Sequence, residues 1–195
     1  MQTKNIHKTS IVTNGISKIT SHRLFWIISF SVLTAISAQI TIPVKPVPFT
    51  LQTMMVILAG AFLGARNGFY SQVIYLGLGG IGLPVFAQIP DGAVGVARLI
   101  GPTGGYLIAF PIAAYIVGYL IEKRKSYLNV VLSMFLGEVI IILCGTLFLG
   151  LFFLGDLFEA VKLGAVVFSV WSVIKLIVAA SIYTGVSKTV SKNLK

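Results

Sequence analysis

Glu138 and Lys175 are ionisable side chains placed deep inside long apolar runs of this sequence. A charge at the centre of a membrane helix costs roughly 2.5–3.5 kcal/mol for Lys or Asp, so such a residue marks an ion pair or a ligand contact. Glu138 lies 11 residues after Tyr127, and Lys175 lies 11 residues before Val186. In two antiparallel helices both side chains would sit roughly 16 Å from the same end, at 1.5 Å per residue. The matched depth fits a direct Glu138–Lys175 pair. It equally fits a lysine that donates to a carbonyl or anionic group of a substrate. Lys175 is too far from either helix end to snorkel out.

Other chemistry is thinly represented. Gly77-Leu78-Gly79-Gly80-Ile81-Gly82 contains a GxGxxG match, but it falls within and at the end of an apolar helix. A dinucleotide site needs a strand before that motif and a helix after it. Close helix packing in lipid is the better account, for these glycines and for the Gly60/Gly64 GxxxG pair. No GxxxxGK[ST], HExxH or CxxC occurs, so neither P-loop ATP hydrolysis nor a metal site is expected, and no cofactor. His7 and His22 lie in a polar N-terminal stretch. The single cysteine, Cys144, lies in an apolar run and reads as a small hydrophobe.

The elements that must position Glu138 and Lys175 are membrane helices. Of the 195 residues, 56% are hydrophobic and 10% charged; a soluble domain carries about 25% charged residues. Six apolar segments are expected, at about 24–42, 50–65, 69–83, 104–121, 127–153 and 164–186. Residues 1–23 form a polar, basic N-terminal segment, and 24–195 a single six-helix transmembrane domain. Pro43, Pro46 and Pro48 forbid a helix after the first segment and predict a stiff extended loop. Arg66-Asn67-Gly68 predicts a tight turn, and 84–103 a long Gly- and Pro-containing loop. Trp26, Trp171, Tyr70, Tyr119, Tyr127 and Tyr183 lie mostly near segment ends, as interfacial anchors do.

The net charge of +10 does not indicate nucleic acid, since no basic stripe lies on an amphipathic helix. It orients the chain instead. With the N-terminus inside, the inner side holds eleven basic residues: Lys4, Lys8, Lys18, Arg23, Arg66, Lys123, Arg124, Lys125, Lys188, Lys192 and Lys195. The outer side holds three, Lys45, Arg98 and Lys162. This bias predicts six spans with both termini cytoplasmic in a multi-pass inner-membrane protein. Both structured loops then share the outer face, where non-helical backbone needs protein around it. A capped, outward-opening pocket is expected there.

Three stretches carry a family resemblance. They are Ile42-Pro43-Val44-Lys45-Pro46-Val47-Pro48-Phe49-Thr50-Leu51-Gln52-Thr53, Gly80-Ile81-Gly82-Leu83-Pro84-Val85-Phe86-Ala87 and Gly101-Pro102-Thr103-Gly104-Gly105-Tyr106-Leu107. In this order and spacing they resemble the BioY family, the biotin-binding S components of energy-coupling-factor (ECF) transporters. The similarity covers most of the chain from about Leu24. It implies an all-α six-helix S-component fold and biotin uptake across the cytoplasmic membrane. It also implies two kinds of partner, a transmembrane coupling protein and a pair of ABC-type ATPases, which fits the missing P-loop. Helix one of the family carries an AxxxA pattern facing the coupling protein; Ser31 and Ala35 stand at those positions. The family's sixth helix has a Pro-Phe-x-Pro-Gly-Asp-x-x-Lys run. Aligned on the lysine, Phe168 and Lys175 match, Ser172 replaces the aspartate, and the prolines and glycine are absent. A second register, through Leu154-Gly155-Asp156, would put Glu159 in place of the lysine.

Biotin joins a polar ureido ring, an apolar thiophane and a carboxylate tail, which calls for apolar walls and a few placed polar groups. Phe86, Tyr106 and Trp171 are the candidate walls. Lys175, Ser172, Gln52 and Asp91 are the candidate polar contacts, with Glu138 supplying a carboxylate near Lys175. Lys175 can serve the ureido carbonyl or the carboxylate. Alternative readings are a biotin facilitator working alone, an S component for another vitamin, and an intramembrane enzyme, for which no catalytic constellation is found.

Overall fold

The computed structural model describes residues 22–88, 93–167 and 170–193. In chain order it contains α1 (Arg23–Gln39), β1 (Thr41–Ile42), β2 (Phe49–Thr50), α2 (Gln52–Gly80), α3 (Val96–Leu99), α4 (Gly104–Lys123), α5 (Tyr127–Leu149), a π-helical turn (Gly150–Leu154), α6 (Leu157–Val167) and α7 (Val170–Asn193). The expected polar segment is outside the described residues up to 21.

The fold is mostly helical, and much of its apolar surface faces outward. Leu128, Phe135, Leu143 and Leu151 are all more than half exposed along α5 and the turn after it. A contiguous apolar exterior of this kind suits lipid and not water. Among the described residues two stretches, Gly104–Lys123 and Tyr127–Leu154, are long and apolar enough to cross a membrane.

The three prolines after α1 do prevent a helix, and the segment becomes the tip of a small hairpin. Thr41 pairs with Thr50 and Ile42 with Phe49, antiparallel. The expected second and third segments are one helical element, α2, broken at Gly64, whose φ of 79° and ψ of 177° are non-helical. There the chain folds back on itself: a Cβ added to Gly68 would lie 2.8 Å from Gly60 Cα. The turn is therefore at Gly64, not at Arg66–Gly68, which is helical. Only glycine reaches that φ without strain. The Glu122 carboxylate completes the turn by accepting the Ala65 N–H at 3.0 Å, replacing a bond that the break removed.

Both arms of α2 pack on α4. A Cβ on Gly60 would lie 2.2 Å from Ala114 O, and one on Gly118 2.4 Å from Ala65 N. Gly60 and Gly118 thus let backbones touch, as expected of helix packing in lipid. Gly77 does not: nothing lies within 4 Å of its Cβ position. The sixth expected segment begins earlier than 164. Asp156 caps α6 by accepting the Phe158 and Glu159 N–H groups at 2.7 and 3.3 Å, so helix runs from Leu157, and beyond residues 168 and 169, which lie outside the described residues, α7 runs from Val170.

Candidate functional site

A cavity lies beneath the β1–β2 hairpin, between α2, α4, α7 and the loop that follows α2. Its lining includes Val47, Thr50, Gln52, Thr53, Phe86, Arg98, Thr103, Tyr106, Phe110 and Lys175. The enclosed space is about 50 Å³, well below the roughly 300–1,000 Å³ of pockets that bury small ligands. A two-ring ligand therefore requires the hairpin or its neighbours to move outward.

One wall is ionic. Lys175 Nζ lies 3.6 Å from Glu138 Oε1, with both side chains buried. Thr53 joins them: its hydroxyl accepts from Lys175 Nζ at 2.8 Å and donates to Glu138 Oε1 at 3.2 Å. The ammonium also donates to Thr50 O at 3.3 Å. The matched depths of Glu138 and Lys175 do produce a direct pair. The lysine lines the cavity and the glutamate stands behind it, so the charge is held in place without Glu138 entering the cavity.

The opposite wall is built by residues that pin the loop after α2. Gln39, in the last turn of α1, donates to Pro84 O and Phe86 O at 3.3 and 3.4 Å. Tyr75 donates to Val85 O at 3.1 Å and accepts from Gln52. Arg98 of α3 donates through Nη2 to Ala87 O. Phe86, so held, packs edge-on to Tyr75 at 5.5 Å, and Tyr75 stacks on Phe110. Tyr106 fits because Gly145 on α5 has no side chain; a Cβ there would lie 2.2 Å from the ring. Its hydroxyl is 3.4 Å from Thr146 Oγ1.

Two polar atoms of the lining are buried without a hydrogen-bond partner among the described residues, Arg98 Nε and Thr103 Oγ1. Buried polar atoms are nearly always bonded, so these two can take a ligand's acceptors. Burial also pulls the Arg98 guanidinium below its usual pKa, with the Tyr75 hydroxyl acting the other way; it remains a cation.

Lys175, Gln52, Phe86 and Tyr106 are thus brought together as the sequence suggests. Ser172 is buried one turn from Lys175 on α7 but stands back from the cavity, and Trp171 points outward, 40% exposed. Asp91 is outside the described residues. Asp156 and Glu159 belong to the exposed start of α6, which favours the register that places Lys175 in the site. Ser31 is fully buried, its hydroxyl donating to Ile27 O and Ser71 O, so it faces α2 and not a partner as the resemblance implied; Ala35 is half-buried and packs against the core. The sequence reading missed Arg98, Thr53, Thr103 and Phe110. For Arg98 a signal existed: it is a lone cation three residues before the Gly101-Pro102-Thr103-Gly104-Gly105 stretch. Among the described residues no group of three or more His, Cys, Asp or Glu could hold a metal ion.

The BioY family model matches residues 7–192. The chain belongs to the BioY family. A relative from Thermotoga maritima, named a biotin transporter, is 41% identical over 153 residues, covering 78% of this chain and 88% of that one. A "probable biotin transporter" from Lysinibacillus sphaericus is 50% identical over 103 residues, 53% of this chain and 50% of that one; the match spans half of that relative's length. Among solved structures, the S component for biotin from an ECF-type ABC transporter matches with a TM-score of 0.78 at 27% identity. That match covers 85% of this chain and 90% of the other.

Proposed function

We propose that this BioY protein binds biotin in the hairpin-capped cavity and carries it into the cell as the S component of an ECF transporter. It is a transport protein and not an enzyme, in line with the names its relatives bear. The observation that carries the assignment is the pairing of two buried cations on a largely apolar cavity, Lys175 on one wall and Arg98 on the other. Biotin offers an acceptor at each end, the ureido carbonyl and the carboxylate. Its thiophane matches Phe86, Tyr106 and Phe110. Lys175, buttressed by Glu138 and Thr53, takes the ureido end, and Arg98 takes the carboxylate, for which its forked guanidinium is the better geometric match. Charge-assisted bonds of this kind contribute about 1.5–3 kcal/mol each.

The reading also places the chain as a six-pass protein of the cytoplasmic membrane with both termini inside. Its passes are α1, the two arms of α2, α4, α5 and α7. Transport draws on ATP through an ABC-type ATPase pair, coupled by a transmembrane partner that meets α1 around Ala35.

Equilibrium binding of labelled biotin to the purified protein tests the assignment. Lys175→Ala is expected to weaken binding by about 10- to 100-fold. Glu138→Gln is expected to lower both affinity and thermal stability, because it leaves Lys175 buried without its counter-charge, a loss of about 3–5 kcal/mol for a broken buried pair. A folded wild type that fails to bind biotin would overturn the assignment.

A further inference from the structure

A second concave surface lies between the second arm of α2 and the outer face of α4. It is a groove of about 360 Å³ lined by Arg66, Phe69, Tyr70, Ile112 and Tyr115. Its rings are ordered against one another. Phe69 meets Tyr115 edge-on at 6.5 Å and 88°, and Tyr115 stacks on Tyr119 at 6.3 Å and 9°. Lys123 Nζ lies 4.2 Å from the centre of the Tyr119 ring. Ile112, Tyr115, Tyr119 and Lys123 follow at intervals of three, four and four residues, so they form one face of α4.

Charge is gathered at one end of this groove. The Ala65 N–H to Glu122 bond brings together the chain segments that carry Arg66 and Lys123. Glu122 is the acid at this end, and its carboxylate is engaged by that backbone N–H. Arg124 and Lys125 follow directly. Arg66 is exposed and has no hydrogen bond or ion pair among the described residues. Cations, tyrosines and an apolar trough in this order match the layers of a lipid: phosphate, glycerol and acyl chain.

We propose that this groove is a binding site for an anionic phospholipid. Arg66 takes the phosphate bidentately and Lys123 adds a second cation. Tyr70 and Tyr115 lie at the level of the ester groups, and Phe69 and Ile112 carry an acyl chain. A zwitterionic lipid fills the same trough, but its own ammonium competes for the phosphate and leaves the cations less well matched. A soluble anion has no use for the apolar walls.

The test places a fluorescent reporter in the groove: Y115W in the W26F/W171F background, reconstituted in vesicles. Quenching by brominated phosphatidylglycerol is compared with quenching by brominated phosphatidylcholine. A preference of roughly fivefold per basic residue is expected for the anionic lipid. It should fall by about fivefold for each cation removed in R66Q/K123Q and persist in K188Q/K192Q, which removes the same charge from the end of α7. Equal quenching by the two lipids, identifying an ordinary boundary position, would overturn the proposal. So would a preference that survives R66Q/K123Q, or one lost equally in K188Q/K192Q. Protection of the reporter from both lipids, as a coupling protein or a second copy seated there would give, would overturn it as well.

Discussion

At the scale of residues, the site turns on how two cations are held. Lys175 is tied to Glu138, Thr53 and Thr50 O, so its charge is compensated before ligand arrives. Arg98 is held by one bond to Ala87 O and keeps Nε free. The difference suggests a division of labour that ligand analogues can separate. Wild-type protein is expected to prefer biotin over biotin amide by about 10-fold or more, since the amide lacks the anionic partner. Arg98→Gln should bring that preference close to unity, whereas Lys175→Ala should weaken both ligands and leave the preference standing. Comparing ratios removes any shared loss from freeing the Ala87 carbonyl. Competition binding with the two ligands gives the answer, and a preference kept by Arg98→Gln would move the carboxylate elsewhere. The Lys175 wall was legible in the sequence because a charge inside an apolar helix is conspicuous and helical rise fixes its depth. Arg98 was not, because its depth depends on how a loop folds over the cavity, which no helical period encodes.

At the scale of elements, the decisive feature is the reversal at Gly64. Two apolar segments were visible as such, but the turn between them was misplaced by two to four residues, since Arg66-Asn67-Gly68 has turn-like composition and Gly64 looks like part of a packing motif. What sets the turn is tertiary: Glu122, from a distant helix, supplies the acceptor for Ala65. Likewise the last apolar run was expected to start at 164, after Lys162, whereas α6 already starts at Leu157; the cap at Asp156 is the local sign. Glycines in α2 are consequently unequal. Gly64→Ala introduces a Cβ 2.0 Å from Glu122 Oε1 at a positive φ and should destabilise the protein by more than 1 kcal/mol, roughly the cost of a strained backbone conformation. Gly77→Ala meets nothing and should be neutral or stabilising by up to about 1 kcal/mol through helix propensity. Thermal unfolding in detergent distinguishes them; equal behaviour would mean that the reversal does not depend on Gly64.

At the scale of the whole molecule, the cavity and the basic cluster occupy opposite ends. The hairpin carrying Lys45 and the helix carrying Arg98 cover the cavity, while the Gly64 turn, Glu122 and Lys123 gather at the far end of α4. An S component must take its vitamin from outside and meet its ATP-driven partners within the membrane, so polarity follows from which end faces out. In the proposed orientation, drawn from the distribution of basic residues, the cavity end faces outside. This orientation can be read with single cysteines in a Cys144→Ala background, the native thiol being exposed on α5. Lys45→Cys should react with a membrane-impermeant maleimide in right-side-out vesicles and be protected in inverted ones. Lys123→Cys and Lys192→Cys should do the reverse. Agreement of Lys123 with Lys192 requires an even number of passes between α4 and the C-terminal end of α7, which α5 and α7 supply only if α6 does not cross. Labelling of Lys123→Cys from the outside would invert the molecule, and opposite sidedness of Lys123→Cys and Lys192→Cys would make α6 a span. Biotin adds a link between topology and site: because a two-ring ligand must displace the hairpin or its neighbours to enter a cavity of about 50 Å³, saturating biotin should change the rate of reaction at Lys45→Cys and leave the other two positions unchanged.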